Sequence, residues 1–166
     1  MVTTIFYLII SVIIFDFLFE RGLDYLNLSH FKPELPYELK GIYDPDKYEK
    51  SQQYLKANNW FSMASATFSF ALIILMLAFG GFAWLDELVR HFTSNSYAGT
   101  LLFFGILGLS ADILSIPFQL YDIFVLEDKF GFNKTTVLTF VTDKLKSWLV
   151  GGLIGGGLLL FLQWAQ

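Results

Sequence analysis

Few side chains in this protein are equipped for chemistry. Its 166 residues include no Cys and only two His, His30 and His91. Thiol nucleophiles, thiolate zinc sites and centres built on neighbouring histidines are therefore excluded. The residues that stand out form a stripe read at alternating steps of three and four: Gly105, Gly108, Asp112, Ser115, Gln119 and Asp122. That spacing keeps the positions on one face of a helix across several turns. Phe103, Ile106, Leu107, Ile113, Leu114, Ile116 and Phe118 lie largely off the stripe. Two carboxylates, an amide and a hydroxyl in a row can bond a neighbouring helix, line a hydrated interior, or carry protons and cations. Pro117 removes one backbone donor within the stripe and kinks the helix.

The elements that must position these residues are set by composition. The chain is 55% hydrophobic and 19% aromatic but only 16% charged, with a mean hydropathy of +0.55. A soluble domain carries about 25% charged residues, so a membrane protein is the leading class. Four apolar stretches, about 2–19, 61–85, 100–126 and 145–165, approach or exceed the roughly 20 helical residues that cross a ~30 Å hydrocarbon layer. Backbone groups in lipid must be satisfied within their own segment, which makes these stretches helices. The expected fold is one all-α membrane domain over 1–166 with four transmembrane helices. The first stretch has no preceding basic residue or small-residue cleavage site and is closed by Glu20-Arg21. It reads as a retained helix and not as a secretory signal.

Aspartate facing lipid costs about 2.5–3.5 kcal/mol on the insertion scale, so the polar stripe is expected to face other helices or water. Asp112, Ser115, Gln119 and Asp122 are the candidate lining residues of a hydrated interior. Gly105 and Gly108 fit close helix packing equally well. Arg21, Lys32, Lys40, Lys47, Lys50 and Lys56 fall between the first two stretches, and Lys129, Lys134, Lys144 and Lys146 between the last two; Arg90 alone lies in the remaining link. The positive-inside tendency therefore places both basic segments in the cytoplasm and both termini outside. Trp148 and Trp164 are expected to anchor the fourth helix at the two interfaces.

The long cytoplasmic segment is expected to be partly helical. Pro33 and Pro36 keep its first half extended or turned, and Asp44-Pro45 supplies an N-cap followed by proline at the first helical position. One continuous helix over 45–85 is expected, with a break at Asn58-Asn59 as the alternative. Tyr43, Tyr48, Tyr54 and Trp60 offer an aromatic surface to the interface or a partner. Asp16 reads as interfacial. Ser62, Ser65 and Ser69 read as packing glue, as do the pairs Gly151/Gly155 and Gly152/Gly156. A net charge of −4 excludes a nucleic-acid binder. No His-Glu-x-x-His helix, glycine-rich phosphate loop or nucleophile beside a histidine occurs.

The run from Ile116-Pro117-Phe118-Gln119-Leu120-Tyr121-Asp122 through Glu127-Asp128-Lys129-Phe130-Gly131-Phe132-Asn133 resembles the signature between the third and fourth membrane helices of the type I CAAX prenyl proteases, which are integral-membrane zinc metalloproteases. Pro36-Tyr37-Glu38-Leu39-Lys40-Gly41-Ile42-Tyr43-Asp44, continuing through Tyr48-Glu49-Lys50-Ser51 to Tyr54, is similar to their first cytoplasmic segment, and Gly80-Gly81 with Trp84 to the end of their second helix.

The resemblance implies an N-terminal membrane part of such a protease, forming part of the wall of a water-filled chamber. It also implies Glu127, Lys129 and Asn133 at a cytoplasmic rim where a catalytic metalloprotease domain docks. Zinc and prenylated CAAX peptides are implied for the full-length enzyme. No zinc ligand or catalytic residue can be assigned here, so this chain alone is expected to hold no cofactor and cleave nothing. The expected setting is a bacterial inner membrane or the endoplasmic reticulum. A stand-alone scaffold and a small ion-coupled transporter using Asp112 and Asp122 are the other readings.

Overall fold

A computed structural model describes residues 2–31, 34–37 and 41–165. All its long elements are helices: α1 Val2–Ser29, α2 Pro45–Ala78, α3 Gly81–Phe92, α4 Ser96–Tyr121 continued by a π-helical segment Asp122–Glu127, and α5 Val137–Trp164. Lys32, Pro33, Glu38, Leu39 and Lys40, used above for charge, chain direction and resemblance, lie outside the described residues. The chain divides into two compact units, Met1–Leu72 and Ile73–Gln166.

In the first unit α1 continues past its apolar run because Arg21 is held among neighbours of its own helix. Its guanidinium lies 3.4 Å from Glu20 and 3.0 Å from Asp24, and 5.5 Å from the centre of the Phe17 ring. Phe17 stacks on Phe70 of α2 with ring centres 3.9 Å apart, giving the two helices a flat aromatic contact. The start of α2 is written in its cap: Asp44 Oδ1 accepts the N–H groups of Asp46 at 3.0 Å and Lys47 at 3.4 Å, with Pro45 as the first helical residue. The helix then passes Asn58-Asn59 without interruption. Ser69 Oγ donates to the Ser65 carbonyl at 3.1 Å, so this hydroxyl is used within α2.

Helix α2 stops at Ala78 and does not reach Leu85. Gly80 adopts φ 69 and ψ 24, a left-handed conformation that costs other residues about 1–2 kcal/mol. The chain restarts there as α3, so the expected continuous helix over 45–85 is two helices. In the second unit α3 lies against α4 through Leu85 and Val89, which are 4% and 2% exposed. A Cβ on Gly99 of α4 would sit 3.9 Å from Val89, an ordinary van der Waals distance. Asn95 caps α4 by accepting the Ala98 N–H at 3.1 Å.

Helices α4 and α5 form an antiparallel hairpin. Its turn is a glycine C-cap: Phe132 N–H reaches the Glu127 carbonyl and Gly131 N–H the Asp128 carbonyl, both at 2.9 Å, with Gly131 at φ 71. This is the paired-bond pattern that closes a helix on a left-handed glycine. Leu126 and Phe130 are buried beside it. Thr136 accepts the Thr139 N–H at 3.2 Å and starts α5 at Val137, well before the expected Leu145. Lys144 and Lys146 therefore stand within the helix and not in the loop. At the far end Gln163 Nε2 donates to Ser96 Oγ at 2.7 Å.

Among the described residues three helical stretches are long and apolar enough to cross a membrane: Pro45–Ala78, Ser96–Glu127 and Val137–Trp164. No residue of their most apolar windows is fully buried within the chain. Close packing at the helical glycines is sparse. A Cβ on Gly156 would touch Leu101 at 3.5 Å, but on Gly105, Gly108, Gly151, Gly152 or Gly155 it would meet nothing within 4 Å.

Candidate functional site

The polar stripe of α4 divides in two. Gly105 and Gly108 are exposed, whereas Asp112, Ser115, Gln119 and Asp122 are each half-buried. The adjoining Ile113 and Leu114 are 52% and 47% exposed. Asp112 is the centre of the site. Its Oδ1 accepts from Lys144 Nζ at 2.6 Å and its Oδ2 from Trp148 Nε1 at 2.7 Å. The two donors are four residues apart on α5, so one face of that helix presents both to a single carboxylate. The Asp112 and Lys144 side chains are 31% and 17% exposed, and charge-assisted bonds at this depth are stronger than neutral ones.

A second set of bonds runs along α4. Ser115 Oγ donates to the Asp112 carbonyl at 2.7 Å, and Gln119 Nε2 donates to Ser115 Oγ at 2.5 Å. Back-bonding of this kind bends helices, and Pro117 lies two residues beyond Ser115. Asp122 follows at the first position of the π-helical segment, and its Oδ1 is enclosed without a hydrogen-bond partner among the described residues. Single π turns inside α-helices cluster at functional sites. Three of the four predicted lining residues, Asp112, Ser115 and Gln119, thus join one connected network; Asp122 adjoins it on the same helix.

The expected rim residues belong to the hairpin turn. The Glu127 carbonyl takes part in the glycine cap, Lys129 Nζ lies 5.6 Å from the Phe130 ring centre, and Asn133 Oδ1 accepts the Thr135 N–H at 2.7 Å. All three hold the turn in shape.

Lys144 and Trp148 were missed as site residues. Trp148 was expected as an interfacial anchor, but its indole N–H is committed to Asp112. The signal lay in the hairpin: residues at similar distances from a turn near Phe130 meet across it, which pairs Asp112 with the Lys-x-x-x-Trp of α5.

Nothing here has the donor set of a metal centre. The Asp112 carboxylate is already shared by a cation and an indole N–H, and among the described residues no three of His, Cys, Asp or Glu converge. Each compact unit also supplies a single histidine. Among the described residues a zinc ion would find no fitting ligands. Elsewhere in the second unit a cavity of about 730 Å³ opens between α3 and α4, lined by Phe82, Asp86, Arg90, Asn95 and Phe103 among others. Its charged pair is Arg90 Nε and Asp86 Oδ2, 2.7 Å apart and well exposed.

Comparison with known proteins adds what local geometry cannot. Residues 24–165 match the family described as the CAAX prenyl protease N-terminal region with five membrane helices. The chain is 36% identical over 124 residues to the probable CAAX prenyl protease 1 of Schizosaccharomyces pombe, covering 67% of this chain and 26% of that protein. It is 32% identical to CAAX prenyl protease 1 of Saccharomyces cerevisiae, covering 89% of this chain and 35% of that one. The crystal structure of S. mikatae Ste24p superposes with a TM-score of 0.81 at 32% identity, over 94% of this chain and 38% of that one. The chain thus spans about a third of the length of these relatives. The family description counts five membrane helices; among the described residues there are five α-helices, three of them sufficient in length and apolarity.

Proposed function

The chain belongs to the CAAX prenyl protease family as its N-terminal membrane region, and from that premise we propose that it forms part of the wall of a hydrated intramembrane chamber. In this reading 1–166 is one membrane domain with four spans, provided by α1, α2, α4 with its π-helical extension, and α5. The basic segments face the cytoplasm and both termini the opposite side. Asp112, Ser115, Gln119 and Asp122 line the chamber, joined by Lys144 and Trp148. Glu127, Lys129 and Asn133 mark the cytoplasmic rim against the catalytic part of a full-length relative.

The observation that carries the reading is the Asp112–Lys144–Trp148 cross-link. Charged groups within apolar helices face a bundle interior or water and pair with one another. Here the pair ties two membrane-length helices together while Ile113 and Leu114 point away. By itself the chain binds no catalytic zinc and cleaves nothing; zinc chemistry and the handling of prenylated CAAX peptides belong to the remainder of the full-length protease. An ion-coupled transporter has less support, because both Asp112 oxygens already accept from donors fixed on α5.

Single-cysteine labelling tests the wall, since the chain has no native Cys. In bilayers Ser115→Cys, Gln119→Cys and Asp122→Cys should react with a membrane-impermeant thiol reagent, and Ile113→Cys and Leu114→Cys should not. Equal reactivity on both faces, or the reverse pattern, would discard the chamber assignment.

A further inference from the structure

Helix α3 stands between α2 and α4. Its 12 residues span about 18 Å at 1.5 Å per residue, too short for a hydrocarbon layer of ~30 Å. It is nevertheless strongly amphipathic, and its apolar stripe is wider than its contact with α4. Leu85 and Val89 are buried on α4. Trp84, Leu88 and Phe92, at successive steps of four, form an adjoining flank on which Trp84 is 63% and Phe92 73% exposed. Asp86 and Arg90 occupy the opposite side, joined at 2.7 Å.

The level of α3 is fixed by its neighbours. It follows the last residue of α2 after Phe79-Gly80 and precedes α4 by Thr93-Ser94-Asn95, so it sits where two membrane-length helices end. A Cβ on Gly81 would strike Met76 at the end of α2, which shows how tightly the link is folded. The same end of α5 is tied there by Gln163 on Ser96, and the next residue, Trp164, is 74% exposed. Phe79, Trp84, Phe92 and Trp164 thus collect at one end of the α4–α5 hairpin. Trp is enriched at the level where a protein meets the lipid headgroups, and here Trp84 and Trp164 mark it.

We propose that α3 lies in the plane of the bilayer interface, its Trp84–Leu88–Phe92 flank seated among lipid headgroups and upper acyl chains and its Asp86–Arg90 flank in water. The occupant of the exposed flank is lipid. Asp86 and Glu87 match Arg90 and His91 in number, and Glu87 and His91 border the Trp84–Leu88 side, so α3 carries no excess of positive charge and seating is driven by apolar burial and not by attraction to anionic lipid. The proposal rests on α2, α4 and α5 being membrane spans.

The test uses the chain in phosphatidylcholine vesicles with a fluorophore on single cysteines: Trp84→Cys, Leu88→Cys and Phe92→Cys on one flank, Asp86→Cys and Arg90→Cys on the other, and Ile106→Cys and Leu153→Cys as span controls. Brominated lipid should quench the first set about threefold more than the second, and aqueous iodide should do the opposite. Adding anionic lipid should leave the pattern unchanged. Trp84 and Phe92 are exposed, so neither substitution removes packing, and each reports independently. Span controls quenched by lipid with Trp84→Cys and Phe92→Cys quenched only by iodide would overturn the proposal and leave the spans standing. Span controls reached by iodide alone would remove the membrane reading itself. Shielding of the flank from both quenchers that disappears on dilution would identify a second copy as the occupant and also overturn it.

Discussion

Asp112 accepts two donors from another helix, and losing either has a cost set by what remains. Lys144→Met leaves a half-buried carboxylate with an indole N–H alone, and a bond to a charged group contributes about 1.5–3 kcal/mol. We expect the melting temperature of the purified chain to fall accordingly, and Asp112→Asn combined with Lys144→Met to recover part of the loss. A double-mutant cycle should return a coupling of about 0.5–3 kcal/mol; additive effects would mean that the pair contributes little. Trp148→Phe removes one neutral donor and should cost about 1 kcal/mol by the same measurement. At this scale the acceptor was legible and the donors were not. Asp112 betrayed itself because a carboxylate in an apolar run must be compensated, but Lys144 and Trp148 each had a simpler explanation as loop charge and interfacial anchor.

Helix boundaries obeyed caps more closely than hydropathy. Asp44-Pro45 announced the start of α2, and Thr136 with Thr139 set the start of α5, eight residues earlier than the apolar run suggests. Gly80-Gly81 was visible in the sequence, yet the apolar residues on both sides hid the break, since Phe79 and Phe82 look like uninterrupted membrane helix. The two kinds of glycine should respond differently to substitution. Gly131→Ala forces a side chain into the left-handed region at φ 71 and should destabilise the hairpin by about 1–2 kcal/mol. Gly105→Ala and Gly151→Ala add a methyl group where nothing lies within 4 Å and should raise stability by roughly 0.5–1 kcal/mol each through helix propensity. Thermal unfolding followed by circular dichroism separates the two outcomes.

At the scale of the molecule, an all-helical membrane region was predictable from composition, and the family from three ordered motifs. The second compact unit was not, because α3 leaves only a modest trace in twelve residues and the cross-hairpin contacts depend on where the turn falls. Asp112 lies 16 positions beyond Ser96, about 24 Å along the helix at 1.5 Å per residue, so the ion pair stands deep relative to the Gln163–Ser96 end. With no converging ligand set among the described residues, a chelator should leave the melting temperature of the chain unchanged, and elemental analysis should find no stoichiometric zinc. The π-helical segment carries a consequence for variation in length. It accommodates one residue more than an α-helix would over the same rise, and each residue turns a helix by about 100°. Deleting a single residue between Asp122 and Glu127 would relax the backbone to ordinary α-winding over the same rise and keep Lys144 on Asp112, whereas a deletion in the α-helical turns between Asp112 and Asp122 would swing everything downstream by about 100° and carry Lys144 off Asp112. A one-residue deletion should therefore be better tolerated in the π-helical segment than in the α-helical turns before it, although no side chain need change.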